Sequence, residues 1–313
     1  MNAKISIAVL VAFSFTFVSL IIFTNLVFSD PFEPNKNNQF FLKEFDPNEK
    51  KVFLLGSSHI AFINMTHIIE RVSNVNPEYV VYNLAHVNDT PIFRYQMLPE
   101  ILSLKPDIVF YGISYQSFNT KPAETNQFLT ISQLLGDKID VIPKNPKRET
   151  LHMIRDFLND TEMFSVPAKD ITPPNAPFGA FQKDRMIILN DNELKREAQT
   201  SNYEILITPI SENVEIKYFK EILSDLYEND IPVVIFKAPL HRYYHDIVPE
   251  TEKIALSSLL DDISKEFNIK IYDFSEKYSD MPIWSDTSHI AYNDKSLIYS
   301  DDIAKMILTE IEE

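Results

Sequence analysis

Lys51-Val52-Phe53-Leu54-Leu55 runs directly into Gly56-Ser57-Ser58-His59. A short apolar run closed by a turn residue predicts a strand buried on both faces, and glycine permits the sharp entry into a following helix. In a doubly wound α/β protein this junction lies at the carboxyl end of the sheet, where a serine is held out as a nucleophile. Near the other end stands Trp284-Ser285-Asp286-Thr287-Ser288-His289. An Asp three residues before a His lies about one helical turn away, so its carboxylate can hold the imidazole Nδ1–H while Nε2 faces a hydroxyl elsewhere. Together Ser58, His289 and Asp286 can form a serine-based acyl-transfer site.

Outward from the first strand the chain alternates. Apolar positions at Ile60, Ile63, Ile68, Ile69 and Val72 predict one helix over Ile60–Val72. Strands follow at Tyr79–Leu84 and Ile108–Ile113, separated by a helix that opens at Pro91 and kinks at Pro99. After a break come a helix at Glu212–Tyr227, a strand at Val233–Phe236, a helix at Glu252–Phe267, a strand at Ile269–Phe274 and a last helix from Asn293 to Glu312. Five apolar strands separated by helices predict a five-stranded parallel sheet with right-handed crossovers, flanked by helices.

The break spans residues 120–205 and holds seven of the 19 prolines. It predicts an inserted cap over the carboxyl ends of the strands, with short helices near Leu151–Leu158 and Asp184–Gln199 and exposed aromatic residues Phe178 and Phe181. His241 and Arg242 follow the fourth strand, at a carboxyl end where ligands bind in open sheets, and His59 adjoins the serine. All three are candidate substrate contacts.

Before the sheet, Ile5 to Phe28 holds 24 uncharged residues. As a helix it spans about 36 Å, enough for a hydrocarbon core of about 30 Å. It reads as a retained signal anchor over 1–29 or as a cleaved signal peptide with Val27-Phe28-Ser29 at its end. Lys4 before the span, with Asp30 and Glu33 after it, places the bulk of the protein on the extracytoplasmic side. Residues 30–50, polar and rich in proline, read as a stalk, and 51–313 as the α/β domain.

Composition narrows the partners. A net charge of −16 opposes binding to a phosphate backbone, so nucleic acid is not expected. The chain has no cysteine, its seven histidines lack His-Glu-x-x-His spacing, and its four glycines offer no phosphate-cradling loop. No metal and no cofactor are expected.

Gly56-Ser57-Ser58, the block Asn83 to Thr90, Asp107 to Gly112 and Asp286-x-x-His289 resemble the ordered blocks of the SGNH (GDSL) hydrolase superfamily. The resemblance covers about 51–118 and 210–312. It implies a flavodoxin-like sheet, Ser58 as nucleophile, His289 as base and Asp286 as the orienting carboxylate. It also implies an oxyanion hole from the Ser58 N–H, Asn88 in place of the usual second-block glycine, and Gln116 as the nearest amide in an eroded third block. Gly-Ser-Ser in place of Gly-Asp-Ser is similar to cell-envelope O-acyltransferases and D-alanine transfer proteins. The expectation is a membrane-anchored serine esterase or O-acyltransferase acting on acyl esters of cell-surface glycans or similar small molecules. The alternative is a catalytically degenerate SGNH-like scaffold that binds glycan or serves envelope assembly.

Overall fold

The computed structural model describes residues 38–41, 43–87, 89–120, 174–178, 183–200 and 205–312. The chain divides into two units, Met1–Glu44 and Phe45–Glu313. In the first, the helical turn Asn38–Phe41 is described; the Ile5–Phe28 span lies outside the described residues. Among the described residues no helix is long and apolar enough to cross a membrane.

The second unit holds a five-stranded sheet of β1 (Lys50–Leu55), β2 (Tyr79–Asn83), β3 (Ile108–Ile113), β4 (Val233–Lys237) and β5 (Lys270–Asp273) in the order β2-β1-β3-β4-β5. Every neighbouring pair is parallel, as the apolar runs predict; Val52 pairs with both Val81 and Ile108, and Phe110 with Val234. Side chains alternate between two covered faces. Val52, Leu54, Phe110 and Phe236 join a core with Ile68 and Val72 of α1 (Met65–Ser73) and Ile303 and Ile307 of the last helix, α8 (Leu297–Glu312). On the other face Tyr111 and Phe118 pack edge-on against Phe219 of α5 (Val214–Glu228), with ring centroids 5.0 and 5.1 Å apart. The order reverses between β1 and β3, so the switch-point crevice opens beside the turn that follows β1.

That turn needs two glycines. Gly56 has φ +139°, and a Cβ there would stand 2.6 Å from the Gly112 carbonyl oxygen and 2.7 Å from Ile60 Cγ1; a Cβ on Gly112 would meet Ile60 at 2.4 Å. The ends of β1 and β3 close onto Ile60 only because neither position carries a side chain.

Several expected helices are divided. Ser58–Ala61 forms a single turn and α1 begins at Met65, because Asn64 accepts the His67 N–H at 3.0 Å and acts as an N-cap in place of a helical residue. The helix expected from Pro91 splits into α2 (Pro91–Gln96) and α3 (Leu98–Ser103), with Pro99 in the first turn of α3, where its missing N–H is harmless. In the insertion, Lys183–Met186 is a 3-10 turn and α4 is Asp191–Thr200. Asn190 caps α4 by accepting from Asn192 and Glu193 N–H while Glu193 accepts from Asn190 N–H. Phe178 is buried, not exposed; Phe181 and Leu151–Leu158 lie outside the described residues. Two further helices, α6 (Arg242–Ile247) and α7 (Glu250–Phe267), lie between β4 and β5 in the chain. The described parts of the insertion seat themselves at the carboxyl end of the sheet: the carbonyl of Asn175 accepts from Asn83 N–H at the end of β2, at 2.8 Å.

Candidate active site

Ser58 opens the helical turn after β1 and is nearly buried. Its Oγ lies 2.7 Å from His289 Nε2, across 231 residues of chain. On the other side of the ring, His289 Nδ1 lies 2.9 Å from both carboxylate oxygens of Asp286. A carboxylate only accepts, so Nδ1 carries the proton and Nε2 is left to accept from the Ser58 hydroxyl.

The Asp-x-x-His spacing works through a loop instead of a helical turn. Asp286 Oδ1 accepts from the Ser288 and His289 N–H groups, each at 2.7 Å, which folds the carboxylate back over its own backbone. Ser285 closes the loop by donating to the His289 carbonyl through both N–H and Oγ. Trp284 and Ile290 pair across its base, and the fully buried Trp284 donates Nε1–H to the Tyr278 carbonyl at 3.0 Å.

Arg185, in the insertion, is a site residue that the sequence does not announce. Its Nη1 donates to Asp286 Oδ2 and stands 3.1 Å from His289 Nδ1, while its guanidinium covers the Phe62 ring at 5.4 Å. Backbone bonds hold this segment independently of that side chain: Tyr292 N–H to the Arg185 carbonyl at 2.7 Å and Leu189 N–H to the Trp284 carbonyl at 2.8 Å. Burial alone would push the Asp286 carboxyl up. The His289 charge and hydrogen bond, with the Arg185 charge and the Ser288 N–H, outweigh burial and hold it well below the usual carboxylate range.

His59 lies against His289. Its ring stacks on that of His289 with centroids 4.9 Å apart and 19° between planes, and its Nδ1 lies 2.9 Å from Ser57 Oγ. Burial, and next the neighbouring His289, pull its imidazole down to about 3, so it is neutral at ordinary pH. A cavity at Ser58 is lined by His59, Phe62, His289, Tyr292 and Tyr299, among others.

The remaining candidates are placed differently. Asn88 lies outside the described residues. Gln116 sits in the 3-10 turn Tyr115–Phe118, which follows β3 next to β1 at the same sheet end. His241 is buried, accepts the Tyr243 N–H at its Nδ1, and donates its backbone N–H to the Thr287 carbonyl at 3.0 Å; its ring packs on Trp284. Arg242 pairs with Asp191 and with Asp280. The lining of the cavity includes neither, and both brace the surroundings of the His289 loop. The block after β2 is tied by a buried pair: Arg94 donates to Asp89, through Nε at 2.9 Å, and to the Leu84 carbonyl at 2.8 Å.

No family model matches the chain, and no curated protein matches it. The solved structures similar to it include three at 10% sequence identity. An acetyl xylan esterase, AlAXEase, matches with a TM-score of 0.42 over 82% of this chain and 99% of its own. A GDSL-like lipase from Bacteroides thetaiotaomicron VPI-5482 matches with a TM-score of 0.44 over 90% and 97%. A gut microbial diltiazem-metabolizing enzyme matches with a TM-score of 0.42 over 85% of this chain and 47% of its own.

Proposed function

We propose that the protein is a serine esterase or O-acyltransferase, and the observation that carries this reading is the unbroken chain Ser58 Oγ–His289 Nε2, His289 Nδ1–Asp286. His289 takes the Ser58 proton as Oγ attacks the carbonyl carbon of an acyl ester, and Asp286 stabilises the imidazolium that forms. The same imidazole returns the proton to the leaving alkoxide. The Ser58 N–H, with Asn88 and Gln116 as partners, receives the developing oxyanion. Water or a second hydroxyl then releases the acyl group. Anchoring through Ile5–Phe28 and an extracytoplasmic position belong to the same proposal and rest on the amino-terminal sequence, and glycan esters as substrates rest on the resemblance carried by Gly56-Ser57-Ser58. The intact geometry favours turnover over a scaffold that only binds. A fluorophosphonate probe labels the protein, and Ser58→Ala abolishes the labelling; labelling that survives the substitution sinks the assignment.

A further inference from the structure

The turn that carries Ser58 also encloses the ring of His289. His59, the next residue, stacks on that ring with centroids 4.9 Å apart and 19° between planes, and Phe62, one turn further on, meets it at 5.7 Å and 69°. His59 is itself fixed. Its Nδ1 lies 2.9 Å from Ser57 Oγ, its backbone belongs to the helical turn Ser58–Ala61, and it is only 6% exposed. A ring held in this way is a wall, since a tilt of His289 towards it meets close-packed atoms in place of solvent.

The wall matters most when the ring is charged. A proton taken at Nε2 makes His289 an imidazolium in a residue only 9% exposed, so its neighbours, more than water, must stabilise it. Asp286 serves the Nδ1 edge, whereas Arg185, with Nη1 3.1 Å from Nδ1, opposes the new charge. One face is covered by His59. A cation over an aromatic face is attracted to it, more strongly as water is removed, provided the ring beneath carries no charge of its own. Burial, and next His289, hold the His59 imidazole down to about 3, and the other charged groups it faces, Asp286 and Arg185, act on it in opposite directions.

We propose that His59 is a positioning residue that acts through His289: its ring sets the plane in which His289 meets both Ser58 and Asp286, and its face holds the imidazolium that forms during acyl transfer. The inference rests on the acyl-transfer reading and deepens it. In the step, the proton passes from Ser58 Oγ to His289 Nε2 as Oγ bonds to the acyl carbon, and it leaves Nε2 again for the departing alkoxide. His59 exchanges no proton. It supports the charged state between the two transfers, and so lowers the barrier without touching the ester.

The test compares two replacements of His59 on p-nitrophenyl acetate. His59→Leu fills the space without a ring face; it lowers kcat and kcat/KM about tenfold and leaves KM within about twofold. His59→Phe restores most of that loss, because the face acts and the Ser57 bond does not. Fluorophosphonate labelling of Ser58 slows in His59→Leu by the same factor, since it needs the same imidazolium. Equal losses in the two variants overturn the proposal, and so does a rise in KM at unchanged kcat, which would make His59 a substrate contact. A second measurement needs no variant to fold: in the unaltered protein with 13C-labelled histidine, nuclear Overhauser contacts join the ring protons of His59 and His289 and persist once Ser58 carries the phosphonate. Their absence in the adduct overturns the stack, while labelling of Ser58 keeps the esterase reading alive. Absence of labelling in the unaltered protein overturns both.

Discussion

Ser58 stands one residue inside a helical turn that grows from a strand buried on both faces, whereas Asp286 and His289 stand in a loop with no helix or extended strand of its own. Ser58 is placed by its immediate neighbours in sequence and by Gly112 on the adjoining strand. The His289 loop is placed by segments far away in the chain: Leu189 N–H on the Trp284 carbonyl, Glu197 Oε2 accepting the Thr287 N–H at 3.1 Å, and the His241 backbone N–H on the Thr287 carbonyl. One half of the site is therefore inseparable from the fold, and the other is assembled on it. Substitutions in the two halves should fail differently.

The largest effect is expected on the assembled side. Asp286→Asn loses about 10³–10⁴-fold in esterase turnover, because the imidazole loses the acceptor that fixes its tautomer. Denaturation by urea stays cooperative. On the nucleophile side the order of damage reverses: Gly56→Ala forces a Cβ against the Gly112 carbonyl at positive φ and costs about 2–4 kcal/mol of stability, read from urea midpoints. A Gly56→Ala protein as stable as the original would break the contrast, since the turn would then tolerate a side chain.

His59 lies where the two halves touch, and pH separates its share. Its folded value of about 3 lies below the ordinary 6.5, so the unfolded chain takes up a proton in that window and the folded one does not. Stability therefore falls as pH drops from about 6.5 towards 3, by at most about 1.4 kcal/mol per pH unit from this residue. The fall is shallower in His59→Gln. Equal slopes for the two proteins, measured by urea denaturation at pH 7, 6 and 5, would mean that the imidazole is charged in the fold. The smallest effect is expected at Arg185. Two backbone N–H groups already fix Asp286, so the guanidinium contributes chiefly a positive charge near the forming imidazolium. With both side chains partly exposed, Arg185→Gln raises turnover by about two- to fivefold. A loss of tenfold or more would show that the insertion positions the base through this residue.

The same contrast explains what was legible in the sequence. Val52–Leu55 and Ile108–Ile113 announce themselves as strands because a parallel strand covered on both faces is an unbroken apolar run, and Ser58 follows from where such a strand ends. Asp286 and His289 are visible as a pair, but their spacing suits a helix as well as an Asx-type loop, and only the backbone bonds of Ser288 and His289 decide between them. The cap at Asn64 was open to reading, since Asn before a helix-forming run is a start signal; the apolar period across it is the stronger pattern and hides it. Arg185 had no local signal. A basic residue in a proline-rich stretch gains its meaning from a carboxylate 101 residues away, and no periodicity records that distance. Phe178 is hidden in the same way: its burial depends on where the insertion docks.

Trp284 is the only tryptophan in the chain, and it is fully buried two residues before Asp286, against the His241 ring. The tryptophan emission of the whole protein is thus a report from the loop of His289 alone. A blue-shifted spectrum marks the loop closed over its buried indole, and a red shift without loss of helical circular dichroism would mark its release. The molecule carries its own optical gauge of whether His289 is in place.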